Sequence, residues 1–245
     1  MGESRRCHGR RWVVGACFCV SGLTYRSVMP ILAYGEDALT LWALTHRLGE
    51  VLRALGDATP PREALVLFRP SFGRRGVAPD WAPGESLSSQ FGEFDAIVAT
   101  AAGVALVEVK WGGSSEVQGG VLTLRPEQVR RHAVLHWYLD AWRVSPKTDW
   151  DEFQRANSDA FRAAFLGMSI PSAGSVLASN LGYLLGLLTQ RGAAVRDVLL
   201  YITKPGTPPP TAVAPAHFTL VSMECADLQG PGFIELKTVG GPAPL

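Results

Sequence analysis

The chain has 245 residues, of which 47% are hydrophobic and 18% charged, and its formal net charge is +1. This suits one sizeable α/β domain with its own core and leaves little room for a second. The near-neutral charge excludes a global basic field, so any nucleic-acid contact must come from local patches. No apolar run reaches the ~18 residues that suggest a membrane span, and no fixed-period repeat is present.

Residues 1–28 differ from the rest, with Arg5, Arg6, Arg10, Arg11 and Arg26, no lysine, and the apolar stretch Trp12 to Leu23. A short signal peptide is one reading. The preferred expectation is a disordered leader, or a mis-assigned start ahead of Met29, with a single domain over 29–238 and a flexible tail over 239–245. Three of the four cysteines, Cys7, Cys17 and Cys19, lie in this leader and only Cys225 outside it. That distribution makes no disulfide framework and points to a reducing, cytoplasmic setting. Cys7, His8, Cys17 and Cys19 carry zinc-ligating atoms at spacings that fit no usual zinc module.

From Gly35 to Leu55 the residues Leu41, Leu44, Leu48, Val51, Leu52 and Leu55 recur at helical spacing, and Gly56-Asp57 is a stop. Glu36 falls in the first turn, where an acid complements the helix dipole, and Glu50 falls on the polar face. After Pro60-Pro61, Ala64 to Arg69 reads as a strand. Pro70 to Gln90, rich in Gly, Pro and Ser and containing Arg74 and Arg75, reads as a loop.

Phe91 to Trp111 carries the most specific pattern, with EFDAIVAT and VALVEVKW flanking a small-residue turn. A turn at Thr100 to Gly103 sets Ala99 opposite Val104, Ile97 opposite Leu106, Asp95 opposite Glu108 and Glu93 opposite Lys110. All share one face, because side chains alternate along a strand. Two carboxylates within about 5 Å repel one another, so a bound cation or chemistry is the expected reason to keep them, against the plainer reading of solvated strand ends. A slip of one residue would turn Asp95 to the other face.

Val121 to Leu124 follows as a short strand. Pro126 then opens a helix with apolar spacing through Val129, Ala133, Leu135, Trp137 and Leu139. Gln128 lies in its first turn, and Arg130, Arg131 and His132 form a basic cluster that could grip phosphate or simply be solvated. Asp149 to Met168 and Ser172 to Arg191 read as helices, the second strongly apolar. Asp197 to Lys204 reads as an internal strand, Pro205 to Pro215 as a proline-rich linker, and His217 to Met223 as a last strand on an edge.

The order helix, strand, Asp-bearing strand, Glu-x-Lys strand, helix, strand resembles the PD-(D/E)XK nuclease superfamily, and more narrowly its nuclease-related domain (NERD) group. The residues that carry the resemblance are Gly35-Glu36, Gly92-Glu93-Phe94-Asp95, Glu108-Val109-Lys110 and Pro126-Glu127-Gln128, within Tyr34 to Trp142. A literal Pro79-Asp80 lies upstream in the loop-like segment; the hairpin geometry selects Asp95 instead.

The resemblance implies a restriction-endonuclease-like central mixed sheet flanked by helices, with extra C-terminal helices it does not explain. It implies a metal-dependent nuclease acting on nucleic acid, with DNA the first expectation. Asp95 and Glu108 would hold Mg²⁺ or Mn²⁺ with the Val109 carbonyl. Lys110 would orient water and stabilise negative charge, Glu36 would be an extra acid, and Gln128 would position substrate or lysine. Arg130, Arg131 and His132 would contact the nucleic acid. The alternatives are an inactive nucleic-acid-binding or assembly module on the same fold, and a metal-stabilised structural domain.

Overall fold

The computed structural model describes residues 28–73, 88–112, 115–144, 149–192, 194–229 and 232–239. The expectations for residues 1–27 of the leader with its cysteines, for Pro79-Asp80 with Arg74 and Arg75, and for residues 240–245 of the tail fall outside them, whereas Val28 and Val239, assigned to leader and tail, lie in strands. By internal contacts the chain divides into Met1–Pro30 with Lys237–Leu245, and Ile31–Leu236. The described part of the first unit is strand, at 28–30 and 237–239. Everything below concerns the second.

In chain order, strand β1 (Val28–Tyr34) precedes helices α1 (Gly35–His46) and α2 (Leu48–Ala54), then strands β2 (Leu65–Phe68), β3 (Ser71–Phe72), β4 (Gly92–Glu93), β5 (Ala96–Ala99) and β6 (Gly103–Trp111). Strands β7 (Val117–Gln118) and β8 (Val121–Thr123) lead to helices α3 (Pro126–Val144), α4 (Trp150–Ala164) and α5 (Val176–Thr189). Strands β9 (Ala194–Thr203), β10 (Ala212–Ala214), β11 (Thr219–Glu224), β12 (Leu228–Gln229) and β13 (Phe233–Val239) complete the described chain.

The main sheet has the order β11-β9-β6-β5-β2. Strands β2, β5 and β6 are antiparallel neighbours, while β6, β9 and β11 run parallel. The β5–β6 register is the expected one, Ala99 opposite Val104 and Ile97 opposite Leu106. It is set by a two-residue turn closed by the Thr100 N–H donating to the Gly103 carbonyl at 2.8 Å. The turn leaves no room for a side chain at its exit, because a Cβ on Gly103 would stand 2.4 Å from the Ala194 carbonyl oxygen.

Alternation along the strands then sorts the core into two layers. Ala96, Val98, Ala105, Val107 and Val109 pack with Leu44, Leu48, Val51 and Leu52 of α1 and α2. Ile97, Ala99, Val104 and Leu106 pack with Leu135, Leu139, Phe161, Leu181 and Leu185 of α3, α4 and α5. A mixed sheet covered on both faces by helices is an α/β architecture. The parallel strand β9 is internal, as its nearly unbroken apolar run implies.

Several boundaries differ from expectation. The first helix breaks at Arg47 (φ −125°, ψ 12°), giving α1 and α2. Both pieces still place leucines on the same sheet face. The proline-rich 205–215 segment is more than a linker, because Ala212–Ala214 pairs parallel with Val121–Thr123. Three residues are too few for a period to register in sequence. Strand β11 does lie on an edge, but β12 and β13 follow it.

Candidate active site

The helical face of β6 that begins apolar, with Val104 and Leu106, continues as Glu108 and Lys110. Glu108 is fully buried. Just before β5, the Asp95 carboxylate accepts the Val109 N–H at 2.8 Å. That bond supplies the acceptor the strand no longer offers once its ladder ends at Ala96.

The hairpin does not continue as far as the sequence pattern implied. Glu93 does not oppose Lys110; it lies in β4, where it pairs with Ser71. Its carboxylate is held by Arg69, which donates from Nε at 2.7 Å and also pairs with Asp37. The chain leaves the ladder because Gly92 adopts φ +106°, closed to most side chains, and Phe94 turns into the core with no exposed surface. Extrapolating period two through Asp95 fails for that reason.

Helix α3 delivers the partners of Glu108. Gln128 Nε2 donates to Oε2 at 3.0 Å. Arg131 forms a bidentate pair, Nε to Oε1 at 2.8 Å and Nη2 to Oε2 at 2.7 Å. His132 Nε2 reaches Oε1 at 3.2 Å while its Nδ1 lies 2.7 Å from Asp197 Oδ1. Two of the three residues expected to grip phosphate are therefore placed otherwise. His132 is 1% exposed, so its reading as a nucleic-acid contact is corrected to a buried link between two carboxylates. Arg131 points at Glu108. Arg130 alone stays outward, donating to the Leu166 carbonyl at 2.6 Å.

The sequence reading missed Asp197, on β9. It accepts from His132 and from His136 Nε2 at 2.9 Å, with His217 Nε2 at 3.7 Å from its other oxygen. Its only signal was an acid opening an apolar strand. Burial opposes its ionisation, but the hydrogen bonds from His132 and His136 outweigh burial and hold the carboxyl well below its usual range. Burial likewise disfavours a charged His132, yet its bonds to Asp197 and Glu108 raise its pKa. Both ring nitrogens face acceptors, which only the protonated ring can satisfy.

Lys110 extends beyond Glu108 to lie between acids, with Nζ 3.7 Å from Glu36 at the start of α1 and 3.5 Å from Glu116. Burial raises the Glu36 pKa against the lowering effect of Lys110, with smaller contributions from Glu116 and Glu108. Burial and then the Glu108 charge push Asp95 up to about 7, although the Val109 N–H opposes this. Asp95 and Glu36 thus lie in the field of Glu108 and Lys110, while the Glu108 charge itself is met by Arg131 and by a protonated His132.

The Asp95 and Glu108 carboxylates and the Val109 carbonyl are the oxygen donors that a hard divalent cation would use here, with water in its other positions. Among the described residues no group of three or more His, Cys, Asp or Glu side chains could hold a metal ion, so an ion here would rest on two carboxylates. Glu108 becomes available to it only by exchanging donors it already has.

The Asp95 shift has a consequence for stability. Between about pH 4, where an unfolded aspartate titrates, and about pH 7, the folded state binds the extra proton. Stability should therefore fall as pH rises through that window, by roughly 2 kcal/mol once partial solvent access is allowed for. Asp95→Asn should remove this component, so in urea melts of wild type and variant at pH 4 and pH 7.5 the two should differ least at pH 4, and the variant should be favoured at pH 7.5. Equal differences at the two pH values would overturn the assignment.

Among the described residues no helix is long and apolar enough to cross a membrane. In comparisons with known proteins, no family model, no curated protein and no solved structure matches the chain.

Proposed function

We propose that the protein is a metal-dependent nuclease that hydrolyses phosphodiester bonds, with DNA as its first expected substrate and a restriction-endonuclease-like fold. The observation that carries this reading is the closeness of Asp95, anchored to the Val109 N–H, to Glu108 and Lys110 of the next strand, whose charges both act on it. The order of α1, β2, β5, β6, α3 and β9 around those residues supports it as well.

Asp95 and Glu108 would hold Mg²⁺ or Mn²⁺, which when bound supplies Lewis acidity toward a phosphate oxygen and toward water. Lys110, with an ammonium 11% exposed between Glu36 and Glu116, is positioned to donate to negative charge developing on a phosphate. Glu36, whose proton is held more tightly than usual, is placed beside it to receive or return a proton. Gln128 is occupied twice, accepting the Arg125 N–H at 3.0 Å while donating to Glu108, and so orients the carboxylate.

Labelled single-stranded and duplex DNA incubated with the protein in Mg²⁺, Mn²⁺ or EDTA tests the proposal. Cutting in either metal and none in EDTA is expected. A folded protein that binds DNA without cutting it in any metal would favour the inactive binding module.

A further inference from the structure

The donors around Glu108 bear on how a cation reaches it. A carboxylate offers about four acceptor positions. All are taken, Oε1 by Arg131 Nε and His132 Nε2, and Oε2 by Arg131 Nη2 and Gln128 Nε2. A cation cannot share those lone pairs with a guanidinium, and the two positive charges repel at close range.

The three donors are not equally tied. His132 is locked by Asp197 on its far side, and Gln128 is fixed by the Arg125 N–H. Both residues are buried, whereas the Arg131 side chain keeps 16% of its surface exposed. Among the described residues its guanidinium also lies over the Phe94 ring, its carbon 5.8 Å from the ring centre, a much weaker attachment. A guanidinium suits a phosphate's paired oxygens as well as it suits a carboxylate's.

Resting on the nuclease reading, we infer that Arg131 is a latch on Glu108: it keeps a metal ion off that carboxylate until a nucleic-acid phosphate draws the guanidinium away. Metal and nucleic acid then bind cooperatively, because each favours the state in which Arg131 has left Glu108. The coupling is reciprocal, so the factor by which an oligonucleotide strengthens metal binding equals the factor by which metal strengthens oligonucleotide binding.

The test is Mn²⁺ titration of the full chain by calorimetry, alone and with a cleavage-resistant phosphorothioate oligonucleotide, single-stranded and duplex. For wild type, Mn²⁺ affinity should rise about tenfold or more with the oligonucleotide, within the usual range of coupling. For Arg131→Gln, Mn²⁺ should bind the free protein about tenfold more tightly than it binds wild type, and the oligonucleotide should add less than it adds for wild type. Equal Mn²⁺ affinity of wild type with and without a bound oligonucleotide would overturn the latch. So would unchanged or weaker Mn²⁺ binding by a variant whose circular dichroism matches wild type. If Arg131→Gln does not fold, Arg131→Lys takes its place, since it keeps the charge but not the bidentate pair with Glu108, and should also bind Mn²⁺ more tightly than wild type does. If wild type cleaves and binds Mn²⁺ without coupling, only the latch fails, whereas absence of Mn²⁺ binding under every condition removes the nuclease reading and the latch with it.

Discussion

Glu108→Ala is expected to destabilise the protein by about 3–5 kcal/mol, the usual cost of removing one partner from a buried ion pair. An acid kept only to ligate metal predicts the reverse, since deleting it relieves repulsion. Here Glu108 is fully buried and accepts from three side chains. Its loss strands Arg131 and a protonated His132 in the interior, where unpaired charge is most costly. Urea denaturation of the variant at pH 7 without metal is the direct measurement; a midpoint equal to wild type would mean that the Glu108 network contributes nothing to folding. Glu108→Gln keeps the volume and some acceptor capacity, and should lie between the two.

Lys110→Ala should reduce metal-dependent cleavage by about 10²–10³-fold, as expected for a group that stabilises charge in the transition state. The effect should appear in kcat rather than KM, since the interaction strengthens only as charge develops. Stability should change less than with Glu108→Ala, because the Lys110 ion pairs are long, at 3.5 and 3.7 Å, and Glu36 keeps access to water. Single-turnover cleavage of labelled DNA in Mn²⁺ separates chemistry from binding. A variant that cuts as fast as wild type would remove Lys110 from the chemistry and leave it a structural neighbour of Glu36 and Glu116.

The two substitutions probe different links in one chain of causes. Glu108 is bound into the packing of α3 against β6, so its loss is read in folding. Lys110 lies farther along the same strand face, so its loss is read in rate. If the site served only to stabilise the domain, both variants would lose stability and a chelator would unfold the wild type.

What the sequence determined by itself is local. A small-residue turn with β-branched flanks set the hairpin, and period two then placed Ile97 opposite Leu106 and put Glu108 and Lys110 on one strand face. Those relations depend on neighbours in the chain and on the pleat, so pattern alone carries them. The departure of Glu93 was not legible, since it depends on a backbone turn at Gly92 and on the burial of Phe94.

The tertiary structure decided which face of α3 meets the sheet. Its apolar spacing suggested Val129, Ala133, Leu135, Trp137 and Leu139; Leu135 and Leu139 are indeed buried, but the other buried positions are Gln128, His132, Val134, Tyr138 and Trp142. Polar side chains that look solvated in a helical pattern are turned inward because β6 and β9 present carboxylates to receive them. His132 and Asp197 stand 65 residues apart in sequence, and only docking α3 across two parallel strands brings them within 2.7 Å. Propensity and periodicity describe each element alone, whereas a buried charge network is stable only once both sides exist.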